Sequence, residues 1–148
     1  MSNGRWRPKL DKFRARNRAD RWMLLHATVW LALARLMLLI LPFHQLAKRL
    51  SSGGGQAKSS PDPEFLARIG RSVQAAAGSL PWRSDCFPKS IAGWMLLKHH
   101  GYEGTIHLGV ARSGSDDLAG HAWLTCAGTV IAGGEDLDRY AEIHRLGA

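Results

Sequence analysis

The sequence predicts an α+β fold. Apolar residues recur at helical spacing as far as Gly101, strict alternation replaces that pattern from Thr105 onward, and short turn signals break up the late segments. At 148 residues the chain has room for one domain with a sizeable core, not for two. Three regions are expected: a basic and apolar helical region at 1–50, a Gly/Ser/Pro linker at 51–63, and a core domain at 64–148.

The charge of +8 is concentrated at the start of the chain. Residues 1–21 carry eight Lys or Arg against Asp11 and Asp20, a local net of +6. Such a run suits nucleic acid, anionic lipid or plain solvent. Nucleic acid is not expected: there is no RNA-binding motif and no zinc-finger spacing, and Trp6, Phe13 and Trp22 are too sparse for a stacking platform. Two cysteines, Cys86 and Cys126, make no disulfide framework, and no small-residue cleavage site follows an N-terminal apolar core, so a reduced cytoplasmic protein is expected.

From Trp22 to Phe43 the chain is almost wholly apolar, but Arg35 and His26 disfavour a membrane span, since a central arginine costs roughly 2.5–3.5 kcal/mol in lipid. One long helix stopped by Pro42 is predicted, docked on the domain or lying at the inner membrane face. "SSGGGQAKSSPDP" is a linker, and Pro63 to Ala77 a second helix with Phe65, Leu66, Ile69 and Val73 at helical spacing. After Cys86, Phe87, Ile91, Trp94, Met95 and Lys98 define a third, with Gly101 as its stop. "TIHLGVAR" at 105–112 alternates as a strand, "SGSDDLAG" reads as a loop, and "HAWLTC" with "TVIAG" form a hairpin about Ala127 and Gly128.

Asp85 is placed to cap the third helix, which puts Cys86 in its first turn, where Pro88 is tolerated because those amides lack intrahelical partners. The positive end of a helix dipole favours thiolate over thiol, a setting for a nucleophile. A nucleophilic cysteine also needs a base. Of seven histidines His121 fits best, because it opens a strand directly after Gly120; His26 and His44 lie in the N-terminal region, His99 and His100 at the far end of the cysteine's own helix, His107 inside a strand and His144 in the tail. Alternation puts His121, Trp123 and Thr125 on one face of that strand and Ala122, Leu124 and Cys126 on the other, so Cys126 reads as a small core residue. Spacing alone does not separate a Cys/His pair from coincidence. No pair of ligands stands at zinc spacing and no phosphate-binding glycine loop is present, so no metal or cofactor is expected, and ATP dependence is left open.

The passage "DCFPKSIAGWMLLKHHGYEGTIHLGVAR…GHAWLTCAGTVIAGGEDLDRY" resembles the transglutaminase-like leader peptidases of lasso-peptide biosynthesis. The shared pattern is a Cys-x-x-Lys/Arg-Ser helix start, an apolar helix ending near glycine, a strand with a Gly-Val step, and His-Ala-Trp before a second strand. Cys86, Lys89 and Ser90, then Gly101, Gly109 and Val110, and His121, Ala122 and Trp123 match it. The apolar N-terminal stretch is also similar to the helical front of that family.

The resemblance implies a papain-like thiol protease reaction on a transglutaminase-like fold, with the cysteine helix packed on a small antiparallel sheet. Cys86 would be the nucleophile and His121 the base and then the acid. A precursor peptide would be cut to release its leader, with a separate leader-binding protein and an asparagine-synthetase-like cyclase as partners. In that family an aspartate on the following strand orients the histidine. At the corresponding position this chain has Gly133, followed by Gly134, Glu135 and Asp136. Either carboxylate is a candidate for the role, as is a backbone carbonyl; an unfilled role is the remaining alternative. A non-catalytic adaptor that presents the precursor to the cyclase is the competing reading.

Overall fold

The computed structural model describes residues 17–52, 60–81, 85–114 and 116–147. Most of the basic arm, Arg5 to Arg16, and linker residues 53–59 lie outside them. The described chain forms four helices and then a four-stranded antiparallel sheet: α1 (Arg18–Ile40), α2 (Phe43–Ser51), α3 (Pro63–Ser79), α4 (Cys86–His99), β1 (Thr105–Ser113), β2 (Asp117–Cys126), β3 (Thr129–Ala132), a 3-10 turn (Leu137–Arg139) and β4 (Ala141–Leu146). The spatial order of the strands is β3-β2-β1-β4.

The apolar run from Trp22 contains neither glycine nor proline before Pro42, so α1 continues for 23 residues. It stops where Leu41 turns extended ahead of the proline ring. The chain re-enters helix at once as the short α2, which the sequence reading missed; only Leu46 and Leu50 of α2 are buried, too few to show a period. Asp62 caps α3 by accepting a hydrogen bond from the Glu64 amide, with Pro63 in the first turn. Asp20 of α1 lies within ion-pair distance, 3.0 Å, of Arg68 on α3.

The helix carrying Cys86 differs from its predicted amphipathic face. Ile91 is buried as expected, but so are Pro88, Ala92, Gly93, Leu96 and Leu97, while Trp94 and Met95 are only half covered. α4 is the central helix, flanked by α1, α3 and the sheet, so apolar residues surround it and the expected stripe is not the whole buried surface. Leu31, Leu50, Ile69, Ile91, Leu97, Ile106, Leu124 and Leu146 are all fully buried in one cluster, so α1 and α2 share the core of the sheet. Cys126 is part of that cluster.

β2 and β3 join through Ala127 and Gly128, both at positive φ, the pattern of a tight hairpin turn. β2 begins earlier than expected. Asp117 to Ala119 pair with Ser113 to Ala111 as a two-stranded ribbon, and His121 therefore sits within the strand, opposite Gly109, and does not open it. The ribbon escaped detection because its residues are mostly exposed and show no apolar alternation. β4 escaped for the same reason: of its six residues only Leu146 is buried.

Candidate functional site

Cys86 is the first residue of α4, half buried and free, with Asp85 at the N-cap position. The Asp85 side chain makes no capping hydrogen bond, so the residue occupies its predicted place without the predicted contact. The turn is tied down from behind by Ser90, whose hydroxyl donates to the Cys86 carbonyl at 2.9 Å.

His121 is held from two sides. Its Nε2 lies 2.8 Å from the Gly133 carbonyl oxygen, and its ring stacks on Tyr140 with centroids 4.6 Å apart. A carbonyl can only accept, so Nε2 carries the proton and the neutral ring keeps Nδ1 bare as the basic nitrogen. This is the tautomer that an orienting carboxylate would impose. Gly133 can come so close because it has no side chain: its φ is +71°, and a Cβ there would fall 2.3 Å from the Ala122 carbonyl oxygen and 3.1 Å from Trp123 Cα.

The two candidate carboxylates are placed elsewhere. Asp136 points to Arg139 at 3.9 Å with its side chain 71% exposed, and Glu135 is exposed on the same turn. The link from β3 to β4 must cross from one edge of the sheet to the other, and in doing so it lays Gly133 on Trp123 and Tyr140 on His121. A row of rings results: His107 stacks on Trp123 at 5.2 Å, Trp123 lies 6.2 Å from His121, and Tyr140 closes the row. His107 also bridges Thr125 (2.8 Å) and Glu142 (3.1 Å) through its two nitrogens. The Arg145 guanidinium, and after it His107, hold the Glu142 carboxyl below the usual carboxylate range.

Cys86 and His121 lie at the same end of the domain. The Leu124 side chain abuts Gly93, and the end of α4 leads by a short loop into β1, whose first residue Thr105 pairs antiparallel with Thr125 near the end of β2, so α4 and β2 run in the same sense. Counting back from the Gly93–Leu124 contact, Cys86 lies about 10 Å up the helix and His121 about 10 Å up the strand. Lys89, in the cysteine's turn, reaches Gln74 at 3.5 Å. Gln74 in turn lines an open groove of about 670 Å³ together with Gly70, Val130, Gly133, Gly134 and Glu135. The two side chains nevertheless approach from different faces, α4 covering the Leu124 face of the sheet and His121 sharing the Trp123 face. Among the described residues no hydrogen bond joins Cys86 to His121.

Gly133 and Tyr140 are the contacts that sequence reasoning did not assign. Gly133 was visible as the position where a carboxylate was expected; nothing in the sequence marked Tyr140. No curated protein and no solved structure shows significant similarity to the chain. The model of one family does, under the description transglutaminase-like superfamily, over residues 28–145. The match takes in the cysteine helix, the sheet and most of α1, and the chain is a member of the transglutaminase-like superfamily, which includes cysteine peptidases.

Proposed function

We propose that this protein is a cysteine peptidase that removes the leader from a ribosomally made lasso-peptide precursor in the cytoplasm, before a separate asparagine-synthetase-like enzyme closes the ring. The observation that carries this reading is the Nε2–H hydrogen bond from His121 to Gly133, which leaves Nδ1 free to take a thiol proton.

In the proposed reaction the Cys86 thiol passes its proton to His121 and the sulfur attacks the carbonyl of the leader's last residue. The tetrahedral adduct collapses as the imidazolium protonates the departing amine, which frees the core peptide's N-terminus and leaves the leader as a thioester. Water, deprotonated by the same imidazole, adds to the thioester; the leader leaves as a carboxylic acid and the thiol is restored. The amide of Cys86, at a helix N-terminus, is the first oxyanion donor in this scheme. Proton transfer requires the two side chains within about 3.2 Å, so the proposed reaction needs a rearrangement that brings together Cys86 and His121, which approach from different faces of the sheet.

The test is cleavage of a cognate precursor in the presence of its leader-binding partner protein. Cys86→Ala is expected to abolish cleavage, and a variant as fast as wild type would end the proposal. The separation of Cys86 and His121 on different faces favours a second reading, a non-catalytic adaptor that presents the precursor to the cyclase. A thioester on Cys86 seen by intact mass in a single turnover excludes the adaptor.

A further inference from the structure

We infer that the outward face of α1 docks on an anionic lipid surface, lying in its plane. Only one face of this helix is used by the fold: Met23, Ala27, Leu31 and Ala34 enter the core. The opposite face carries Trp22, Leu25, Val29, Leu33, Leu36 and Ile40 at steps of three and four, each between 39% and 67% exposed. These residues form an apolar strip about 30 Å long that nothing in the described chain covers.

The occupant is indicated by charge. At the N-terminal end of the strip Arg18 and Arg21 line an open cleft of about 240 Å³ with Trp22 and Leu25. They belong to the segment 1–21, whose local net charge is +6. Paired guanidinium groups beside an indole, contiguous with an apolar strip, match a phosphate headgroup layer above acyl chains. An apolar protein partner would match the strip but would give the cations no counterpart. A membrane-spanning arrangement would pull Leu31 and Ala34 out of the core, so the helix lies flat. Beyond the break at Pro42, Phe43 is also exposed, and its ring centroid lies 6.0 Å from that of Phe87, the neighbour of Cys86.

The experiment is cosedimentation of the full chain with phosphatidylcholine vesicles, with and without phosphatidylglycerol. Wild type is expected to pellet with the anionic vesicles and to remain largely soluble with phosphatidylcholine alone. Val29→Glu with Leu33→Glu is expected to stay in the supernatant while keeping the wild-type circular dichroism and melting curve. Arg18→Gln with Arg21→Gln is expected to weaken binding to anionic vesicles on the order of tenfold. The inference is overturned if wild type does not pellet, or if the glutamate variant pellets as well as wild type. It is equally overturned if wild type is a dimer that the glutamate variant dissociates and no vesicle binding occurs, since the strip would then be an interface between two copies. None of these readouts depends on peptidase activity.

Discussion

Replacing Gly133 separates what the family pattern expects from what the structure requires. By the pattern, Gly133→Asp restores an orienting carboxylate and should raise activity. By the structure it does harm, because any Cβ at this position meets backbone: the Ala122 oxygen at 2.3 Å and Trp123 Cα at 3.1 Å. Neither contact can be relieved by a rotamer change. Holding a side-chain-bearing residue at φ +71° adds a left-handed cost of about 1–2 kcal/mol. Overpacking against main chain adds about 1–3 kcal/mol more. The sum, about 2–5 kcal/mol, is a large part of a typical domain stability of about 5–15 kcal/mol. At this chain length it corresponds to a fall in melting temperature of roughly 10 °C. Gly133→Ala is the cleaner probe, because it brings the clash without a new charge. Thermal unfolding by circular dichroism measures the loss, and nitrogen NMR of the imidazole reports whether Nε2 still carries the proton. An alanine variant melting within about 2 °C of wild type with the tautomer unchanged, or a Gly133→Asp variant that outperforms wild type in precursor cleavage, would refute the reasoning.

Two glycines of α3 should respond with opposite sign. Gly78→Ala meets nothing within 4 Å and is expected to stabilise by about 0.4–1 kcal/mol, whereas Gly70→Ala places a Cβ 2.7 Å from the Ile131 carbonyl oxygen and is expected to destabilise by about 1–3 kcal/mol; paired denaturant titrations decide. Native alkylation with iodoacetamide should modify Cys86 well before Cys126, whose thiol burial pushes toward higher pKa, and peptide mapping that found Cys126 labelled first would contradict the packing. The contact between β4 and β1 should weaken in acid. The folded pKa of Glu142 is depressed, so its contribution is present above the unfolded value and lost as pH falls through the folded one; hydrogen exchange of β4 amides should accelerate over that range in wild type and show no such step in Glu142→Gln.

The parts of the fold legible in the sequence are those where one residue type has one physical use. Pro42 stops α1, Pro63 opens α3, Gly101 ends α4, and the two residues after Cys126 turn the hairpin. What escaped was set by tertiary contact. β4 is an edge strand whose exposed residues need no apolar alternation, and its pairing with β1 depends on the main chain. The packing of α4 on all sides follows from three neighbours that its own periodicity does not encode. At the candidate site the helix start at Cys86 was legible from Asp85 and Pro88; that His121 lies in a strand was legible too, but not that the strand begins earlier, at Asp117. The partner of His121 was not legible, because a carbonyl oxygen belongs to every residue and is distinguished only by where the backbone brings it.

A carboxylate beside a catalytic histidine does two separable things: it fixes which nitrogen holds the proton, and its charge supports the imidazolium when the other nitrogen is protonated. The Gly133 carbonyl does the first fully, at an ordinary hydrogen-bond length of 2.8 Å, and the second only as a dipole. Tyr140 adds a second contact, its ring lying nearly parallel to the imidazole at 4.6 Å. Carbonyl and phenol ring arrive on the same crossing link between β3 and β4. The glycine and the tyrosine are thus one device: the missing side chain lets the link lie against β2, and the link then brings the ring onto His121. Glu135 and Asp136, the charged residues of that link, are left in solvent because the short backbone approach made at Gly133 turns them outward.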